Sequence, residues 1–88
     1  MLLIAYGETD DFAHDGWYDA YARAAHRTDR FIADLWAWVQ ADRDYRDRTT
    51  LIVTTDHGRG RTLADWRSHG PASATNPEGF PGDEETWL

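Results

Sequence analysis

The stretch Thr49 to Gly58, TTLIVTTDHG, limits what this chain can fold into more than any other. Leu51, Ile52 and Val53 form a continuous apolar run, the pattern of a short strand covered on both faces. The run ends at Asp56-His57-Gly58, so it delivers two side chains able to ligate a metal at its tip. In open α/β sheets ligands gather outside the carboxyl ends of the parallel strands, which makes this tip the place where chemistry is expected.

Residues 1–6, MLLIAY, are a second continuous apolar run and also read as a strand. The run is too short, and lacks the basic flank, for a signal peptide or a membrane span. Between the two runs Tyr21, Ala25, Thr28, Ile32, Leu35 and Val39 recur at alternating spacings of four and three. Trp17, Ala24, Phe31 and Trp38 add a neighbouring row, which predicts an amphipathic helix over about 17–41. Asp15 is its expected N-cap, with Asp19 in the first turn. Strand, long helix and strand predict a parallel, right-handed βαβ crossover. The expected fold class is therefore α/β with a partial parallel sheet, and its topology brings the loops after the two strands to one sheet edge.

The first of those loops, GETDDFAHDG, carries Asp10 and His14 four apart. A hard oxygen and a borderline nitrogen at that spacing suit zinc or manganese. Asp42 to Arg48 is a charged turn, RGRTLADW holds one helical turn, and residues 70–82 contain all three prolines and read as loop. His69 follows in WRSHG, and ETWL at the end reads as a strand just beginning. Five residues are thus candidate metal ligands: Asp10, His14, Asp56, His57 and His69. His26 lies mid-helix among arginines with no second ligand at metal spacing, and is read as structural or exposed.

Composition narrows the chemistry further. With no cysteine, His, Asp and Glu are the strong ligands available. A net charge of −7 disfavours nucleic acid and anionic membranes as partners, although part of it can be site charge that awaits cations. One long helix covers one face of a sheet whose strands are written for burial on both. Residues 1–88 are therefore expected to form a single partial domain, a piece of a larger α/β domain, or to self-associate over the bare face.

The order of these motifs resembles the alkaline phosphatase superfamily, in the branch of type I phosphodiesterases, nucleotide pyrophosphatases and cofactor-independent phosphoglycerate mutases. The resemblance rests on DDFAH from Asp10 to His14, on Asp56-His57-Gly58, and on His69-Gly70. It implies the carboxyl-terminal portion of a three-layer α/β/α domain and two divalent metal ions, zinc first and manganese as the alternative. By that resemblance Asp10, His14 and His69 share one ion while Asp56 and His57 hold the other. It further implies cleavage of a small-molecule phosphate mono- or diester. The Ser or Thr nucleophile and a further Asp ligand are expected outside this chain, which by itself is then inactive. A sulfatase-like or phosphoethanolamine-transferase-like enzyme shares the Asp-His-Gly element. A non-catalytic metal-binding or interaction module is the alternative from a different class.

Overall fold

The computed structural model describes residues 1–86. Its regular elements are two helices, α1 (Glu8–His14) and α2 (Tyr18–Ala41). The segment expected to be a polar loop is α1 itself. Glu8, Asp10 and Asp11 occupy its first turn and His14 its last, an order that complements the helix dipole. Gly16, at φ +76°, ends α1 in the left-handed region. The Trp17 N–H donates to the Phe12 carbonyl at 2.8 Å and the Gly16 N–H to Ala13 at 2.9 Å, the two bonds of a Schellman motif. The Phe12 and Trp17 rings stack across it with centroids 6.2 Å apart.

Helix α2 begins one residue later than the spacing predicts, and Asp15 does not cap it. Asp15 is instead the C-cap of α1, and Trp17 stands at the N-cap of α2 without a side-chain bond. The two helices pack against each other, and Ala13 of α1 and Ala24 of α2 are both buried. A Glu8–Arg27 ion pair at 2.7 Å joins them on the exposed side, where such a pair adds little. Tyr6 packs on Phe31 with ring centroids 5.4 Å apart, laying the amino-terminal segment along α2.

The α/β expectation is overturned: no strand or sheet forms among the described residues, and neither the βαβ crossover nor a three-layer α/β/α arrangement is present. Residues 1–7 and 49–57 carry no regular structure, and Leu3 is 86% and Ile52 70% exposed. A continuous apolar run reports local fitness for a strand, but a parallel ladder also needs a neighbour on each edge and cover on each face. One helix cannot provide both. Glu85 and Thr86 are likewise not in a strand, and the rest of ETWL lies outside the described residues.

After α2 the chain makes the expected charged turn, with Asp47 at φ +59°, and later a single turn at 62–67. There the Trp66 N–H donates to the Thr62 carbonyl at 2.9 Å, and the Asp65 carboxylate accepts the Thr62 N–H at 2.6 Å. Trp66 sets its ring nearly perpendicular to Tyr18 and Tyr21, at 5.5 and 5.9 Å, and so docks this turn on the first turns of α2. The buried hydrophobic residues among those described are Ala13, Ala24 and Val39. The radius of gyration is 16.4 Å, against about 12 Å for a compact domain of this length. The molecule is a helical spine with loops laid along it, Tyr6 on Phe31, Tyr45 on Trp38 and Trp66 on Tyr18. No described helix is long and apolar enough to cross a membrane.

Candidate metal centre

Helix periodicity places the first two candidate ligands. Asp10 and His14, four apart, project from the same side of α1, and His14 Nε2 lies 3.3 Å from Asp10 Oδ2. The other groups arrive on loops that are stitched to α1 and to one another. Arg67 donates from Nε and Nη2 to the His14 carbonyl at 3.2 and 2.7 Å, lying across Gly16, where a Cβ would come within 2.9 Å of the guanidinium. The Gly60 N–H donates to the Ser68 carbonyl at 3.1 Å, joining the two loops that carry His57 and His69.

Asp10 stands at the centre. Its Oδ1 lies 3.4 Å from His69 Nε2 and 3.8 Å from His57 Nε2. One ligand atom from each of Asp10, His57 and His69 falls within 4.8 Å of the other two, and all three residues are partly buried. The His57 and His69 rings stack with centroids 3.7 Å apart and planes 18° from parallel. His14 Nε2 approaches His69 Nε2 at 3.1 Å, a contact in which one ring donates and the other accepts. Asp10, His14, His57 and His69 therefore meet. Asp56 stays at the rim with its carboxylate 91% exposed, accepting the His57 N–H at 3.0 Å and standing 3.8 Å from His57 Nε2. His57 Nε2 thus stands between the two carboxylates, 3.8 Å from Asp10 Oδ1 and 3.8 Å from Asp56 Oδ1.

The ring nitrogens that do not face Asp10 are also engaged. His57 Nδ1 is 2.7 Å from the Gly58 carbonyl, which holds the ring with Nε2 toward the cluster. His69 Nδ1 faces the Asp83 carboxylate at 3.7 Å. Gly58 of the Asp-His-Gly element has a steric reason: a Cβ there would run into the Gly82 carbonyl, because residues 80–85 cross directly over it. That crossing is fixed by the Gly58 N–H on the Asp83 carbonyl at 2.5 Å and the Arg59 N–H on Gly82 at 3.1 Å.

Two residues that sequence reasoning leaves out belong here. Arg59 pairs through Nη2 with Asp10 Oδ1, the oxygen the histidines face, and donates from Nη1 to the Trp66 carbonyl at 3.2 Å. Its place directly after Asp-His-Gly is the signal that could have found it. Asp83 sits in a Pro- and Gly-rich loop, and nothing in its sequence context marks it. His26 takes no part in the cluster, in keeping with its exposed mid-helix position. Thr55, just before Asp56, buries a hydroxyl with no hydrogen-bond partner among the described residues.

One carboxylate and three imidazoles, with a second carboxylate at the rim, form a donor set that suits a borderline divalent ion such as zinc. Asp10 already draws a cationic group, the Arg59 guanidinium, to the oxygen that the histidines surround. On that chemistry the residues fit a metal.

Residues 1–71 match the family described as type I phosphodiesterase / nucleotide pyrophosphatase. The chain belongs to this family. The matched stretch contains all five candidate ligands, and membership sets the chain within the alkaline phosphatase superfamily. A 2,3-bisphosphoglycerate-independent phosphoglycerate mutase from Gracilaria tenuistipitata var. liui is 32% identical over 81 residues. That alignment covers 91% of this chain and 15% of the relative, so the chain spans a small part of that protein's length. No solved structure matches the chain.

Proposed function

We propose that this chain is the metal-binding part of a two-metal enzyme that cleaves or transfers phosphate esters, acting on a small-molecule substrate. The observation that carries the reading is the convergence of Asp10, His57 and His69, from three separate segments, to within 4.8 Å. Family membership supports the reaction class.

In this reading Asp10, His14 and His69 hold one ion, and Asp56 and His57 contribute to a second, with zinc first and manganese as the alternative. Divalent ions bound there neutralise charge on a transferring phosphoryl group and lower the pKa of a bound hydroxyl or water. The chain's own residues do the positioning. His57 is oriented by the Gly58 carbonyl at Nδ1, leaving Nε2 as the ligating atom. Asp10 supplies the negative charge that the site gathers around. Arg59 neutralises Asp10, and its guanidinium is placed at the cluster where it would pair with an anionic ester. The nucleophile is proposed to come from sequence outside these residues, since the chain spans 15% of the aligned relative.

Zinc titration of the full chain by calorimetry, with competition by a chromophoric chelator, tests the reading. One ion should bind tightly and a second more weakly, and binding should weaken on acidification because imidazoles ligate in their neutral form. Asp10→Ala should abolish tight binding. If the wild-type chain retains no zinc or manganese, the reading fails.

A further inference from the structure

The residues from 80 to 85 are not needed to supply a ligand, yet they touch both loops that carry candidate ligands. Asp83 is the point of contact. Its backbone carbonyl accepts the Gly58 N–H at 2.5 Å, one residue beyond His57. Its carboxylate Oδ1 accepts the Gly70 N–H at 2.8 Å, one residue beyond His69, and the same oxygen stands 3.7 Å from His69 Nδ1. The Asp83 N–H donates in turn to the Phe80 carbonyl at 3.0 Å, so the carboxylate sits on a turn of its own and not on a free tail. The side chain is three-quarters buried.

The His69 ring is thus addressed on both edges. Nε2 enters the cluster at 3.4 Å from Asp10 Oδ1, while Nδ1 faces a carboxylate. An imidazole ligates a metal with the nitrogen that carries no hydrogen, and a carboxylate at the opposite nitrogen holds the proton there, fixing the tautomer and making the ligating nitrogen more basic. A backbone carbonyl does this for His57. For His69 the facing group is the Asp83 carboxylate, at an ion-pair distance of 3.7 Å that a small ring rotation would close to a hydrogen bond.

We infer that Asp83 is a positioning residue of the metal centre: it keeps His69 in the Nδ1–H form with Nε2 toward the ion, and clamps the His57 and His69 loops against each other. This rests on the metal-binding reading above and extends it beyond residues 1–71, the part matched by the family. Asp83 ligates nothing itself.

The test uses the full chain, ¹⁵N-labelled, with Asp83→Asn and Asp83→Ala. Asn keeps an oxygen for the Gly70 N–H but loses the charge facing Nδ1, whereas Ala loses both. Long-range ¹H–¹⁵N correlation of the histidine rings in metal-free protein should show wild-type His69 as the Nδ1–H tautomer and Asp83→Asn as a mixture. Zinc affinity should fall about 10- to 100-fold in both variants. Protection of the Gly70 amide from hydrogen exchange should survive in Asn and be lost in Ala. Wild-type His69 found as the Nε2–H tautomer overturns the inference, whatever the variants do. So does zinc binding by Asp83→Asn within about twofold of wild type. A wild-type chain that binds no zinc overturns the metal reading and the inference together, which separates the two failures.

Discussion

Asp10 shows how one side chain can organise a site. Its carboxylate lies among His14, His57 and His69 and is also claimed by Arg59, so a metal held at Oδ1 would compete with the guanidinium. A partly exposed ion pair of this kind stabilises by about 0.5–1 kcal/mol. Arg59→Ala is therefore expected to raise zinc affinity about two- to fivefold, while lowering the rate of any ester cleavage in the complete enzyme. The first half is read by chelator competition. Unchanged or weaker zinc binding in Arg59→Ala would show that the guanidinium does not compete for Asp10. His69→Ala, which removes a ligand on one side of Asp10, should weaken zinc binding by at least tenfold in the same assay. His26→Ala should leave it unaltered, since that ring is remote from the cluster.

Among the elements, α2 is legible because its apolar residues keep a helical spacing over many turns, and it spans Tyr18–Ala41. Helix α1 is not legible: a helix of seven residues has too few apolar positions to show a period, and its acidic first turn reads equally well as loop. The apolar runs at 1–6 and 51–53 read as strands yet form none, because strand formation depends on partners that a local pattern does not report. At the candidate site, Asp10, His14, His57 and His69 could be picked out as metal-type residues at suggestive spacings. What draws them together differs from the expected sheet edge. It is the side of α1, the Arg67 anchor on the His14 carbonyl, and the crossing of residues 80–85 over Gly58. That crossing is testable as an element. Gly82 lies at φ +105°, and a Cβ on it would press on the Arg59 carbonyl, so Gly82→Ala should destabilise the chain by about 1–2 kcal/mol in urea titration. Gly7→Ala, where a Cβ meets nothing, serves as the control.

At the scale of the whole molecule, few apolar side chains are buried and the outline is 53 × 24 × 16 Å. A chain with so small a core depends on whatever ties its loops to the helical spine, and a bound ion is such a tie. Zinc at about a hundred times its dissociation constant should stabilise the folded chain by about 2.7 kcal/mol, visible as a rise in Tm that EDTA reverses. A Tm indifferent to both would mean that the loops hold without metal.

The reach of the centre along the chain has a consequence for synthesis. Asp10 is made well before Asp83, and the Gly58 and Gly70 amides find their acceptors on Asp83. A nascent chain halted before residue 80 would carry α1, α2 and every candidate ligand, but not the residue that closes over them. Such a chain would expose His57 and His69 on unlatched loops. The centre can therefore close once residues 80–85 have cleared the ribosomal exit tunnel.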